Sequence, residues 1–162
     1  MHTINSMDVN KNKSRVIIKI AFIVYLLFLG YVLFFAEAFG RQGVAEGYRY
    51  NLTLFQEIER YIRIGRNGGW NLFLINVVGN VLAFVPFGFF APLIFMRCKH
   101  MVLTAMLSFE VSLFVELLQL VTKVGSFDVD DLLLNTIGGV LGFCMFAIGR
   151  FVKKKFFQKK DK

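Results

Sequence analysis

Four long apolar runs divide the chain, and nearly all of its charge falls between or beyond them. They extend from about Val16 to Ala38, from Trp70 to Met96, from Met101 to Thr122 and from Leu132 to Val152. Each supplies the roughly 20 residues that an α-helix needs to cross about 30 Å of hydrocarbon. A helix also satisfies its own backbone hydrogen bonds there, where no water is available. The pattern predicts an all-α polytopic membrane protein, a bundle of about four transmembrane helices. Ala36-Glu37-Ala38 resembles a small-residue cleavage site. The first run nevertheless exceeds the roughly 7–15 apolar residues of a signal-peptide core and reads as an uncleaved anchor.

An outer segment, residues 39–69, separates the first two runs. Within it Leu54, Phe55, Ile58, Tyr61 and Ile62 recur at helical spacing among Glu57, Arg60 and Arg63. This predicts an outer amphipathic helix lying on the membrane surface. Gly40, Gly43, Gly47, Gly65, Gly68 and Gly69 at its flanks would also suit an irregular loop, or a lid free to move. The expected organisation is a basic tail over 1–15, a transmembrane domain over 16–152 and a second basic tail over 153–162. Asn51-Leu52-Thr53 has the form of a glycosylation acceptor, with nothing else pointing to a eukaryotic secretory protein.

Composition strengthens the membrane reading: 56% of residues are hydrophobic, 19% are charged and the mean hydropathy is +0.59. The net charge of +8 would suit a nucleic-acid partner if the cations shared one face of a soluble domain, but they sit at span ends. With alternating spans, 13 of the 19 Lys and Arg fall on the side of the two tails and the Arg97 to His100 loop. The positive-inside rule makes that side cytoplasmic. Arg41, Arg49, Arg60, Arg63, Arg66 and Lys123 fall on the other side among Glu46, Glu57, Glu59, Asp128, Asp130 and Asp131. Cys98 and Cys144, like His2 and His100, have no metal-ligand spacing, and neither a disulfide nor a metal or cofactor is expected.

Polar side chains inside spans are costly enough to need a partner or a function. Ser108, Ser112, Glu116 and Gln119 fall within an arc of roughly 80° at ~100° per residue. Asn76 and Asn80 lie one turn apart on the second span. Asp128, Asp131, Asn135, Gly138, Gly139 and Gly142 share an arc of roughly 100° on the fourth, with Gly138 and Gly142 in a G-x-x-x-G that permits close helix approach. Counted from the outer span ends, Asn80, Glu116 and Asn135 lie roughly 15, 9 and 6 Å deep. These positions predict a pocket inside the bundle, open to the outside and lined by Asn76, Asn80, Ser112, Glu116, Gln119, Asp131 and Asn135. Interhelical hydrogen bonding is the alternative use of such groups. Glu116 and Asp131 would serve as acid and base or hold a cation, and the pattern does not choose. Pro86 and Pro92 should kink the second span below the pocket. Glu110 points away from the stripe and calls for a partner of its own, either Lys19 or, with Glu110 protonated, an interhelical or oligomeric contact.

These residues resemble the VanZ-like family, named for an accessory teicoplanin-resistance protein of Gram-positive bacteria. The blocks that carry the likeness are Asn51 to Phe55, Asn76 through Asn80 to Phe84-Val85-Pro86-Phe87-Gly88, Glu116-Leu117-Leu118-Gln119, and Asp128-Val129-Asp130-Asp131 with Asn135 to Gly139. Leu54 stands where the family commonly has proline, and the loop before Asp128 lacks the arginine often seen there, Lys123 being the nearest base. The resemblance adds Asn51 and Asp128 to the expected ligand-binding set. It implies a multi-pass protein of a bacterial cell membrane that reduces susceptibility to teicoplanin-type lipoglycopeptides. The expected partners are membrane lipids, a lipoglycopeptide or lipid-linked cell-wall precursor, and a second copy of the chain. An intramembrane enzyme acting on a cell-envelope amphiphile is the alternative. A small oligomeric transporter or flippase ranks below both, because the four spans show no internal repeat.

Overall fold

The computed structural model describes residues 6–39 and 47–158, with side chains for 12–34 and 47–156. Gly40, Arg41, Gly43, Glu46, His2, Lys159, Lys160 and Lys162 lie outside the described residues, as do the side chains of Lys11, Ala36, Glu37 and Ala38.

The chain is an all-α membrane bundle. Helix α1 covers Ser6–Phe39, and a two-residue strand β1 (Tyr50–Asn51) leads into the short surface helix α2 (Gln56–Ile64). A wide turn at Gly65–Gly69, helix α3 (Trp70–Phe73) and a second wide turn at Leu74–Val78 precede α4 (Gly79–Ile94). A 3-10 turn at Met96–Lys99 joins it to α5 (Met101–Thr122), and strand β2 (Phe127–Asp128) precedes α6 (Val129–Gln158). Among the described residues four helical segments are long and apolar enough to cross a membrane: Asn12–Phe34, Gln56–Ile94, Met101–Thr122 and Val129–Phe156.

The outer amphipathic helix is present as α2. Its half-buried face carries Ile58, Tyr61, Ile62 and Ile64, and Glu59, Arg60 and Arg63 are exposed. Acidic Glu57 and Glu59 in the first turn and Arg63 in the last complement the helix dipole. The chain then kinks at Asn67 and Gly68, where Gly68 takes φ 98°, a left-handed conformation open to glycine at no steric cost. Helix α4 runs through both Pro86 and Pro92, and the departures from α geometry along this span lie N-terminal to them, at the two wide turns.

Helix α6 is central, packed most extensively on α4 and then on α5. Glycine makes the α4–α6 contact possible: Gly88 lies against the backbone of Gly139, and Gly138 and Gly142 lie against the carbonyls of Val81 and Val85. Helix α1 packs on α4 through Phe22 and Leu29, which cluster with Phe84 and Phe87. The Tyr25 hydroxyl donates to the Ala83 carbonyl at 2.6 Å, in the turn before Pro86. Large exposed apolar residues cover the outside, among them Leu27, Phe28, Phe114, Val121, Ile148 and Phe151. That surface suits lipid contact rather than water.

On α5 the usual arrangement is inverted. Its buried residues are Thr104, Ser108, Ser112, Glu116 and Gln119, while apolar residues face out. The predicted polar stripe is therefore the face turned into the bundle, and Thr104 extends it by one turn. Glu110 lies on the exposed side of α5. Among the described residues it has no hydrogen-bond or ion-pair partner, and Lys19 lines a cavity at the end of the bundle that carries both tails.

Candidate functional site

The site is built on the turn that starts α6. Glu116, 3% exposed, accepts the Asp128 backbone N–H at 2.9 Å and so fixes that turn to α5. Asp128 Oδ1 accepts the Asp130 N–H at 2.8 Å, the usual way an aspartate caps a helix start. The same oxygen accepts Asn51 Nδ2 at 3.2 Å, and Asn51 Oδ1 accepts the Thr53 N–H at 3.0 Å. Strands β1 and β2 pair in parallel, Tyr50 with Phe127 and Asn51 with Asp128. The outer segment is thus sewn to α6 by backbone and side chain together.

Asp130 completes the attachment. Helix α2 begins at Phe55, a left-handed residue that offers no capping side chain. Asp130, 1% exposed, supplies the missing acceptors from across the fold. Its Oδ1 accepts the Phe55 N–H at 2.5 Å, and its Oδ2 accepts those of Glu57 and Ile58 at 2.9 and 3.2 Å. A buried carboxylate holding three backbone donors satisfies a helix start that would otherwise need water.

Beneath this roof lies a cavity of about 720 Å³, within the range of small-molecule sites. It lies between the C-terminal part of α1, the α3–α4 region and the facing ends of α5 and α6, at the end of the bundle opposite both tails. Asn51, Asn76, Asn80, Glu116, Gln119, Asp128, Asp131 and Asn135 all line it. Of the residues expected at the site, Ser112 alone does not. It lies behind Asn135, whose Nδ2 donates to its Oγ at 2.8 Å. Asn80 Nδ2 donates to Asp131 Oδ1 at 2.5 Å, joining α4 to α6. Gln119 Nε2 donates to the Leu33 carbonyl at 3.0 Å, joining α5 to α1. Asn76 Nδ2 donates to the Leu72 carbonyl of its own helix at 2.8 Å.

Asn135 Oδ1, on a residue only 2% exposed, is buried and accepts no hydrogen bond among the described residues. Buried acceptors are normally paired.

The roof adds residues outside the set expected at the site: Arg49, Arg60 and Tyr61 also line the cavity. Arg60 is held by Glu57, with Nη1 to Oε2 at 2.7 Å. The loop before Asp128 holds no arginine, but two arginines, Arg49 and Arg60, reach the same cavity from the outer segment. Acidic and amide groups line the floor, and the roof contributes Arg49 and Arg60 together with Tyr50, Tyr61, Asn51 and Glu57. Among the described residues no group of three or more His, Cys, Asp and Glu is arranged to hold a metal.

Burial pushes the Asp128 carboxyl above its ordinary value of 3.8, and the neighbouring Asp130 charge adds to this, against the opposing hydrogen bonds from the Asp130 N–H and Asn51. A group raised in the folded state gives stability that is complete below its unfolded value and is lost as pH rises through the folded one. Asp128→Asn keeps the accepting oxygen and cannot ionise. Its thermal midpoint in detergent should match the wild type near pH 3 and exceed it at pH 7, and a midpoint lower than wild type at pH 7 would contradict the assignment.

Fold and site together define a class: four-span membrane proteins with a polar cavity roofed by an outer segment tied to the last span. The VanZ/LLP1 family model matches residues 22–150, well over half of the chain. The chain belongs to that family. Comparison with curated proteins and with solved structures gave no match.

Proposed function

We propose that this protein lies in the cell membrane of a Gram-positive bacterium with both termini cytoplasmic. On this reading it reduces susceptibility to teicoplanin-type lipoglycopeptides by engaging an amphiphile in the roofed cavity. Both the drug and its lipid-linked wall-precursor target present a polar head at the outer face, and either would bring hydroxyl and amide donors to the cavity. The observation that carries the reading is the convergence of eight polar side chains on one cavity. Loss of glycopeptide binding by sequestration or by masking of the precursor follows without any covalent step.

Expression in a susceptible Gram-positive host tests this. Teicoplanin tolerance should rise several-fold with vancomycin tolerance unchanged, and equal sensitivity to both drugs with and without the protein would defeat it.

A second reading has an observation in its favour: Glu116 and Asp131 line the same cavity and supply two carboxylates for acid and base work on the amphiphile. Glu116→Gln retains an oxygen for the Asp128 N–H, and Asp131→Asn retains one for Asn80. Both variants should reach the membrane at wild-type levels. Under the enzymatic reading each abolishes protection, and mass spectrometry of the drug and of membrane lipids finds a modified product. Full protection by both variants removes catalysis and leaves binding.

A further inference from the structure

The end of the bundle that carries both tails holds a second cavity, of about 610 Å³. Four cations line it: Arg15 and Lys19 of α1, Lys99 of the 3-10 turn and Arg150 of α6. A charge bias at one membrane face accounts for cations near span ends. It does not account for cations from three distant parts of the chain meeting around one hollow. No carboxylate lines the cavity, and among the described residues none of the four has a hydrogen-bond or ion-pair partner. Among the described residues, then, no acidic group offsets their mutual repulsion.

The remaining walls are apolar. Leu93, Met96 and Phe146 contribute, with Met96 76% exposed and Leu93 42% exposed. The hollow is thus basic on one part of its lining and continuous with lipid-facing surface on another. We propose that it is a binding site for an anionic phospholipid, with the phosphodiester among the four cations and acyl chains along the apolar wall. Guanidinium groups match a phosphate in paired hydrogen bonds, and lysines add charge from flexible stems that reach the headgroup level. A free phosphate would satisfy the cations alone and leave the apolar wall without a role. The proposal does not depend on what the roofed cavity binds.

Native mass spectrometry of the full chain in detergent, titrated with phosphatidylglycerol, phosphatidylcholine or glycerol phosphate, provides the test. Phosphatidylglycerol should be retained in preference to the other two. At about 1 kcal/mol per basic residue, or about fivefold each, Arg15→Gln with Arg150→Gln should weaken phosphatidylglycerol binding about 25-fold. Lys154→Gln with Lys155→Gln removes the same charge from the exposed tail outside the cavity and should leave binding within about twofold, because screened distant charges contribute little. Lys19→Gln with Lys99→Gln provides a second cavity pair if the first fails to fold by circular dichroism. Equal weakening by cavity and tail pairs would reduce the effect to net charge and overturn the site. Equal retention of phosphatidylcholine would overturn its anion preference. Glycerol phosphate bound as tightly as the lipid would identify a soluble-anion site instead.

Discussion

Gly88→Val should leave little folded protein. A Cβ at Gly88 would run into the backbone of Gly139, and one at Gly138 or Gly142 into the carbonyls of Val81 or Val85. These obstacles are helix backbone, which cannot rotate aside as a side chain does. The axes of α4 and α6 would have to separate, and with them the most extensive packing in the molecule. Overpacking costs about 1–3 kcal/mol where neighbours adjust, and more where they cannot. In lipid no hydrophobic drive between helices compensates for lost close packing. Gly88→Ala and Gly142→Ala should each lower the thermal midpoint in detergent, and the valine variants should elute from size-exclusion chromatography as aggregate. Gly30→Ala and Gly149→Ala are the controls, since nothing lies within 4 Å of a Cβ at either position. A wild-type melt for Gly88→Ala would show that α4 and α6 do not touch in this way.

Asp130→Ala should release the roof while leaving the bundle standing. The carboxylate accepts three backbone N–H groups at the start of α2, and hydrogen bonds to a charged group contribute about 1.5–3 kcal/mol each. Non-additivity lowers the sum, but a loss of about 3 kcal/mol confined to α2 exceeds what a nine-residue helix retains alone. Hydrogen exchange should show the amides of Phe55, Glu57 and Ile58 unprotected, with α5 amides unchanged. Asp130→Asn keeps one accepting oxygen and should fall between the two. Unaltered protection in α2 after Asp130→Ala would mean that the roof is held by other contacts.

Much of the bundle interior is legible from angle alone. Ser108, Ser112, Glu116 and Gln119 share one face of α5, and a polar face in a membrane helix has to turn inward, as all four do. Gly138 and Gly142 are legible for a similar reason, since a repeat of small residues marks a close helix contact and α4 makes it. Angle does not give depth relative to an opening. Ser112 therefore lies on the right face but behind Asn135, outside the cavity lining.

Asp130 is hidden for another reason. Counting along α6 separates it from Asp128 and Asp131, because it serves α2, 75 residues away from it at Phe55, rather than the bundle. A signal did exist on the other side: α2 starts without Ser, Thr, Asp or Asn at its cap, so an acceptor had to come from elsewhere. The pairing of β1 with β2 left no trace in the pattern, since two residues are too few to show an alternation.

The Asn51–Asp128 link also bears on biogenesis. Its partners are 77 residues apart in sequence, and the later one immediately precedes the last transmembrane helix. A ribosome delivers the first three spans before the residues that fasten the roof exist. Until α6 is inserted, the outer segment has nothing to pair with and Glu116 has no turn to hold. Chains stalled or truncated before residue 127 would therefore reach the bilayer as hydrophobic hairpins without the roofed cavity, substrates for membrane quality control rather than partly folded protein.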